Sequence, residues 1–275
     1  RLFEVTGVQT CALPILRLYD SGLWKKYDTS SLREAQFTGG KCSMDYVHKI
    51  FTMFPNCKLR PSYGSTEVCA SCSAVLSREE FERRPELCKT VGRINANCEM
   101  KLVDNDGKEV PVGEVGEGLV SSPAVFRGYI KNEELNARVL RDGWFHTEDL
   151  LRRDEEGFYY LVDRKKDMIK TGGENVYAQE VEDVLRNHPS IFDCALIGVD
   201  DDRFGEAVAA AIVLNPGCTL SDEELIAYCR ANLPSYKKPR YVAFVDELPH
   251  NVTGKIQKSV LRENADKLFR PVRGL

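Results

Sequence analysis

The chain has 275 residues, 43% hydrophobic and 29% charged, with a net charge of −4 at pH 7 and a pI near 5.7. This balance is typical of a soluble globular protein with room for one large or two ordinary domains. The weakly acidic charge excludes a general field for nucleic acid or an anionic membrane, so any phosphate site must be a local cluster of cations. The longest apolar run, residues 207–214, is too short to span a bilayer.

The first part of the chain predicts short strand and helix units that lead into an antiparallel sheet. Residues 44–54 have the apolar spacing of a helix. Asn105-Asp106-Gly107 lies between alternating residues, which is a strong hairpin signal, and residues 157–162 predict a further strand. We therefore expect a small antiparallel sheet or barrel after an α/β segment.

After residue 166 the pattern predicts a compact α+β unit. The predicted strands are residues 191–199, 207–214 and 241–245, and the predicted helices are residues 178–188, a segment ending near 233, and residues 258–268. Ser221 with Glu224 forms a capping box for the second helix. Residues 246–255, with Pro249 and Gly254, predict a loop on a rigid scaffold, where functional residues commonly lie.

A cationic, glycine-containing segment marks the change of composition between these two parts. Residues 163–175 contain Arg164, Lys165, Lys166 and Lys170, followed by Gly172-Gly173. Adjacent glycines let backbone approach a ligand, and Arg and Lys suit phosphate. A solvated charged turn that closes a domain is the alternative interpretation.

Three further segments suit the same ligand, and they are Tyr63-Gly64-Ser65-Thr66-Glu67, Gly143-Trp144-Phe145-His146-Thr147-Glu148-Asp149, and Asn251-Val252-Thr253-Gly254-Lys255-Ile256-Gln257-Lys258. In this order the four segments resemble the AMP-forming, adenylate-making enzymes, which include acyl-CoA synthetases, 4-coumarate-CoA ligases, beetle luciferases and peptide-synthetase adenylation domains. The resemblance covers about residues 16–268. Residues 172–177, followed by Glu180-Val181-Glu182, and residues 254–258 look most like medium- or long-chain fatty acyl-CoA synthetases.

The resemblance implies an α/β plus α+β fold. Residues 16–165 would be the C-terminal part of a large adenylation domain with a small antiparallel sheet or barrel, and residues 166–275 a small mobile domain. Residues 4–15 resemble translated sequencing-adapter read-through, so we expect a non-native leader at residues 1–15. No segment matches the family's Ser/Thr/Gly-rich phosphate loop, so we expect the C-terminal half of a longer enzyme, with little activity alone.

The resemblance implies a first half-reaction in which a carboxylate attacks the α-phosphorus of ATP. Two anions meet there, and Lys255 would reach between them as a compact charge. Thr66 would contact phosphate, and Glu67 would bind Mg²⁺. An exposed surface lysine is the alternative for Lys255.

The implied ATP-binding residues are Gly39, Gly40, Tyr63, Gly64, Ser65, Thr66, Asp149, Arg164 and Lys255. Among them, Tyr63 would offer a ring face to adenine, and Asp149 would accept hydrogen bonds from the ribose hydroxyls. Arg164 would contact the same ribose or the phosphate. The alternatives are a tight structural turn at residues 63–65 and an Asp149–Arg164 salt bridge with no ligand.

The second half-reaction requires the small domain to turn about a hinge, and Lys166 matches that hinge position. Lys170 matches the lysine brought in for thioester formation, and Gly172-Gly173 the passage for the CoA pantetheine arm. Both lysines are alternatively solvated charges. Three residues depart from the usual family pattern, and they are Glu148 for glycine, Lys41 for a small residue and Ala178 for proline.

The implied activity is that of a fatty acid–CoA ligase, with Mg²⁺ as cofactor and ATP, CoA and a fatty acid as substrates. The alternatives are a non-catalytic nucleotide- or CoA-binding remnant, a luciferase-like oxygenase, a 4-coumarate-CoA ligase-like enzyme and a peptide-synthetase adenylation domain. Ten scattered cysteines without a secretory signal favour reduced thiols in an intracellular compartment. Cytosol, mitochondrion and peroxisome all stay open.

Overall fold

The structure is a computed structural model that describes residues 7–10, 12–38, 42–251 and 254–273. The chain divides into two compact units, Arg1–Leu161 and Val162–Leu275. The non-native leader expected at residues 1–15 stays a prediction. In this region Gly7–Thr10 is a strand, and the helix Ala12–Ser21 begins.

The first unit is built on one large sheet. Its described strands are β1 Gly7–Thr10, β2 Glu34–Thr38, β3 Lys58–Ser65, β4 Cys69–Ser73, β5 Thr90–Ile94, β6 Glu99–Val103, β7 Val115–Ser121, β8 Leu140–Arg141, β9 Trp144–Arg153 and β10 Tyr159–Arg164, the last of which crosses into the second unit. Its described helices are α1 Ala12–Ser21, α2 Met44–Met53, α3 Arg78–Arg83 and α4 Glu133–Val139, with 3-10 turns at Leu23–Lys26 and Pro85–Lys89.

The strand order is β1-β2-β3-β4-β5-β10-β9-β7-β6, with β8 paired to β9. The first three strands are parallel, whereas β3–β4–β5 and β6–β7–β9 are antiparallel. Over the described residues the antiparallel part is an open sheet that ends at β6, not a closed barrel. The predicted hairpin is confirmed, because Val103 bridges Glu109 across a turn in which Gly107 has φ +79°.

The apolar face of helix α2 forms part of the core of this unit, as its sequence pattern predicts. Ser43 precedes the helix and its side chain accepts a hydrogen bond from the Tyr46 amide, which satisfies one of the unpaired donors at the N-terminus. Val47, Ile50 and Phe51 lie on one face and are buried. This face packs in a cluster with buried residues of β2 and β3.

The second unit is a smaller α+β structure. Its strands are β11 Met168–Thr171, β12 Glu174–Tyr177, β13 Ile191–Asp201, β14 Gly205–Leu214, β15 Tyr241–Phe244 and β16 Arg270–Pro271. Its helices are α5 Ala178–Arg186, α6 Asp222–Asn232, α7 Lys258–Glu263 and α8 Ala265–Leu268, with 3-10 turns at Lys165–Asp167 and Ser235–Lys237. The sheet order is β12-β11-β14-β15-β16, with β13 also on β14.

Strand β14 separates two cores because neighbouring side chains on a strand point to opposite faces. Val208, Ala210 and Ile212 join the cluster that contains buried residues of α5 and α6. Ala209 and Ala211 join the other cluster, with Leu261 of α7. The apolar run that is too short for a membrane is therefore a strand covered on both faces. None of the described helices has the length and apolar character needed to cross a bilayer.

The prediction of one helix over residues 258–268 is wrong. The helix is interrupted at Asn264, whose backbone has φ −111° and ψ 14°. The Asn264 side chain donates to the Val260 carbonyl oxygen at 2.8 Å. Asparagine favours such local bonds over helix continuation, so α7 and α8 form separately.

We expect Asp222, the first residue of α6, to make an acid-sensitive contribution to the free energy of unfolding. Asp222 is buried, and its oxygens accept hydrogen bonds from the Arg270 guanidinium at 2.6 and 2.8 Å and from the Arg273 amide at 2.8 Å. The Arg270 hydrogen bonds lower the pKa of Asp222 from 3.8 to about 2.

Because the folded state lowers this pKa, the contribution is complete above pH 3.8 and is lost as the pH falls toward about 2. We expect the difference in urea midpoint between the wild-type chain and Asp222→Asn to shrink over that interval. A difference that stays constant there contradicts this assignment.

Candidate active site

The segment of residues 63–67 forms the end of β3 and the turn into β4. Gly64 is required there by a close approach, since an added Cβ would lie 1.7 Å from the carbonyl oxygen of Cys69. The Ser65 hydroxyl accepts a hydrogen bond from the Glu67 amide at 3.3 Å. Thr66 is exposed at the turn and Glu67 is half-buried. Residues 63–65 end the strand, so the tight turn considered for them lies instead at residues 66–68, where it presents Thr66 and Glu67.

A β-bulge carries Thr147, Glu148 and Asp149. Glu117 and Leu119 of β7 pair with Leu150 and His146 of β9, so a step of two residues faces a step of four. The Thr147 hydroxyl holds the bulge by donating to the Gly118 carbonyl at 2.8 Å and accepting from the Asp149 amide at 3.1 Å. Bulges commonly re-aim a side chain beside an active site.

The bulge brings Asp149 to Tyr63. The Tyr63 hydroxyl donates to Asp149 Oδ2 at 2.7 Å, and each residue is only 8% exposed. Burial first, and then the charge of Asp149, raise the pKa of Tyr63 well above its ordinary value. The phenol therefore stays a neutral donor that orients the carboxylate.

Glu148 has a left-handed backbone with φ +57°. This conformation costs a non-glycine residue about 1 kcal/mol or more. Its carboxylate pairs with Arg138 at 3.1 Å, and both side chains are largely exposed, so the pair adds little.

Replacing Glu148 with glycine is therefore expected to stabilise the first unit by about 0.5–1 kcal/mol, or to raise its Tm by a few degrees. Thermal unfolding followed by tryptophan fluorescence measures this, because Trp24 and Trp144 both lie in this unit. Glu155→Gly is the control, since Glu155 is exposed and outside the left-handed region. If the Tm of Glu148→Gly is equal to or lower than that of the wild-type chain, the left-handed backbone at Glu148 costs no stability.

Glu67 has a partner that the sequence analysis missed. The Tyr129 hydroxyl donates to Glu67 Oε1 at 2.8 Å, and the Phe126 amide donates to the Glu67 carbonyl at 2.7 Å. In the described part of the chain no group of three or more His, Cys, Asp or Glu residues is arranged to hold a metal ion. A single carboxylate still fits Mg²⁺, which is commonly held by one or two carboxylates together with substrate phosphates.

In the second unit, Lys170 stands at the end of β11 beside the glycine pair. Gly172 and Gly173 have φ +58° and +89°, and Thr171 pairs with Glu174 across this two-residue turn. Both positive angles suit the favoured hairpin turn, so the glycines have a structural reason as well as a proposed one. Lys170 is exposed, and its amide donates to Glu206 Oε2 at 2.6 Å.

Lys255 stands at a second hairpin. His250 bridges Ile256, the Asn251 side chain accepts from the Lys255 amide at 2.9 Å, and the Asn251 amide donates to the Lys255 carbonyl at 2.9 Å. Gly254 has φ +79°. The Lys255 side chain is exposed at the position where the bonds with Asn251 close this loop.

A buried ion pair anchors the chain just after that hairpin. Lys258, the first residue of α7, lies 2.8 Å from Glu182 Oε1, and Glu182 is 3% exposed. Glu182 Oε1 also accepts from the Leu196 amide at 2.9 Å. Glu182 thereby joins α5, β13 and α7. The only sequence signal for this role was the presence of both residues in family-like segments.

The remaining predicted residues fall as follows. Arg164 is exposed at the end of β10, and Lys166 is exposed in the 3-10 turn Lys165–Asp167. Gly39 and Gly40 lie outside the described residues. Tyr63 and Asp149 are brought together within the first unit, whereas Arg164, Lys170 and Lys255 belong to the second. The roles assigned to all of these residues stay predictions.

Comparison with known proteins agrees with this arrangement. Residues 5–130 match the AMP-binding enzyme family, and residues 180–255 match the AMP-binding enzyme C-terminal domain. The two matched segments cover most of the chain and lie in the two units seen in the structure. The chain belongs to the family of AMP-binding, adenylate-forming enzymes.

Individual relatives differ in the acids that their names record. The chain is 36% identical over 261 residues to a long-chain-fatty-acid–CoA ligase of Escherichia coli, covering 95% of this chain and 45% of that protein. It is 38% identical over 239 residues to a feruloyl-CoA synthase of an Amycolatopsis species, covering 87% and 48%.

A solved structure, ATP-bound MatB of Rhodopseudomonas palustris, superimposes with a TM-score of 0.82 at 30% identity, covering 95% of this chain and 51% of that one. The chain thus spans about half the length of the proteins it matches.

Proposed function

We propose that this chain supplies the C-terminal half of an AMP-forming fatty acid–CoA ligase. A fatty acid and ATP give acyl-AMP and pyrophosphate, and CoA then gives acyl-CoA and AMP. The observation that carries the proposal is the matched pair of exposed lysines in the second unit. Lys170 and Lys255 each stand at a glycine-containing hairpin, and a side-chain acceptor holds the backbone amide of each.

Lys255 serves adenylation in this proposal. The attacking carboxylate and the α-phosphate repel one another, and an ammonium between them offsets the repulsion as charge develops. A lysine suits this task because its charge is compact and its stem is flexible. The Asn251 bonds involve only the backbone at Lys255, so they fix the base of the side chain without engaging the ammonium.

The first unit holds the nucleotide in this proposal. Asp149 accepts the ribose hydroxyls, oriented by Tyr63, and Arg164 of the second unit contributes to the same sugar or to the phosphate. Thr66 contacts phosphate, and Glu67 binds Mg²⁺, which offsets phosphate charge when it is present. In this proposal the Tyr63 ring faces the adenine, Gly39 and Gly40 serve its edge, and Gly64 belongs to the same ATP-binding set.

Thioester formation uses the other lysine. The second unit turns about Lys166, which presents Lys170 and the turn Gly172–Gly173 to the adenylate. Gly173 has open space around the position of a Cβ, so a ligand can approach its backbone. The pantetheine arm of CoA is the ligand proposed for this turn.

The relatives support two substrate classes. The long-chain-fatty-acid–CoA ligase relative covers nearly the whole chain and favours a fatty acid. The feruloyl-CoA synthase relative has slightly higher identity over a shorter stretch, which makes an aryl acid the second candidate.

A product assay separates these classes. The purified full-length gene product is incubated with ATP, Mg²⁺, CoA and either decanoate, palmitate or ferulate, and AMP and the thioester are quantified by chromatography. We expect one of the fatty acids to exceed ferulate in kcat/KM by roughly tenfold or more. Higher kcat/KM with ferulate would replace the fatty acid by an aryl acid, and no thioester with any acid would reject CoA ligation.

A further inference from the structure

A loop that none of the proposed catalytic segments includes lies against Glu67. Residues 122–132 connect β7 to α4, and this loop contributes Phe126 and Tyr129 to the surroundings of Glu67. The Tyr129 hydroxyl donates to the Glu67 carboxylate at 2.8 Å across 62 residues of sequence. The Phe126 amide donates to the Glu67 carbonyl, so the side chain and the backbone of Glu67 are both held.

The loop itself is firmly held. The Asn136 side chain accepts from the Tyr129 amide at 2.6 Å and donates to the Tyr129 carbonyl at 2.9 Å. Gly128 has φ +133°, and a Cβ there would lie 2.9–3.0 Å from atoms of the Asn136 amide. The Phe126 ring packs edge-on against the Tyr129 ring and the buried Phe145 ring, with ring centroids 4.8 and 5.6 Å apart. Tyr129 is thus fixed at its backbone and its ring before it reaches Glu67.

We infer that Tyr129 is a positioning residue that orients the Glu67 carboxylate for Mg²⁺, with Asn136 holding Tyr129 in place. This inference rests on the proposed function, in which Glu67 binds the metal. Mg²⁺ requires near-ideal octahedral geometry, so a carboxylate with a defined orientation binds it better than one that rotates freely. Groups that hydrogen-bond to metal ligands commonly contribute tenfold or more to metal affinity.

The test measures two quantities on the full-length gene product at saturating ATP: pyrophosphate release as a function of free Mg²⁺, and binding of Mn²⁺ as the probe metal, followed by electron paramagnetic resonance. Tyr129→Phe removes only the hydroxyl. We expect it to raise the half-saturating Mg²⁺ concentration about tenfold, with a rate near that of the wild type at high Mg²⁺. Tyr160→Phe is the matched control, because its hydroxyl also donates to a carboxylate, Asp154, at 3.0 Å in the same unit.

Glu67→Gln separates this inference from the proposal beneath it. If Glu67→Gln raises the Mg²⁺ requirement and Tyr129→Phe does not, Tyr129 has no positioning role while Glu67 keeps its own. If Glu67→Gln leaves the requirement unchanged, the metal role of Glu67 and the inference both fail. An equal rise in Tyr160→Phe points to a general loss of stability and overturns the inference. Non-additive effects in Tyr129→Phe/Glu67→Gln support it.

Discussion

Replacing Lys255 with alanine is expected to slow pyrophosphate release by the full-length gene product about 10²–10³-fold. The loss arises because the ammonium that offsets repulsion between the acyl carboxylate and the α-phosphate is removed. The hairpin should keep its shape, since the Asn251 bonds use only the backbone of residue 255. Single-turnover pyrophosphate release measures the effect, and unfolding of the same variant should change by less than about 0.5 kcal/mol.

Lys170→Ala and Lys267→Ala are the controls for this prediction. Lys170 is also exposed on a hairpin of the second unit, but its proposed role is in thioester formation, so acyl-AMP should form at nearly the normal rate and acyl-CoA should not. Lys267 is exposed in α8 and should affect neither step. Loss of adenylation in Lys170→Ala equal to that in Lys255→Ala would remove the division of labour between the two lysines.

The second large effect is expected at Lys258. Lys258→Met is expected to destabilise the second unit by about 3 kcal/mol, because it leaves the charge of a buried carboxylate less compensated. The partner Glu182 is 3% exposed and retains as donors the Leu196 amide, the Gln179 side-chain amide at 3.0 Å and the more distant Arg186. Both tryptophans lie in the first unit, so fluorescence does not report on this change. Hydrogen exchange at the Leu196 amide of the whole chain is the suitable measurement.

Lys237→Met is the matched control. Lys237 pairs at 2.6 Å with Glu180, which lies on helix α5 as Glu182 does but is largely exposed. Its loss should cost less than about 1 kcal/mol. Adding Glu182→Gln to Lys258→Met should recover part of the stability, because the unpaired charge is then removed as well. Equal costs for the two lysines would show that burial of Glu182 contributes nothing to the strength of its pair.

The elements that depend on residues close to one another in sequence were predictable from the sequence. The capping box of Ser221 and Glu224 is present at the start of α6, with both of its hydrogen bonds. Strands β13 and β14 include the two predicted apolar segments, and α2 begins at Met44 as expected. Each of these signals is complete within a few residues, so the rest of the chain need not be known.

Long-range contacts around the candidate site were not predictable in this way. The segments containing Tyr63, Glu67 and Asp149 were identified, but Tyr129 and Lys258 were assigned no partner. The bond from Tyr129 to Glu67 spans 62 residues, and the bond from Tyr63 to Asp149 spans 86. A tyrosine or a lysine has the same local pattern whether it is solvated or bonded to a buried carboxylate. The break of the last helix at Asn264 was missed because apolar spacing continues through it.

The sequence by itself determined the family, the order of the elements and the residue types available at the site, because motifs and periodicity are local properties of the chain. Only the tertiary structure decided that a bulge in β9 turns Asp149 toward Tyr63, that Tyr129 holds Glu67 and that Lys258 closes on Glu182. These contacts depend on strand register and on how distant segments pack, and neither is specified by the residues adjacent to them.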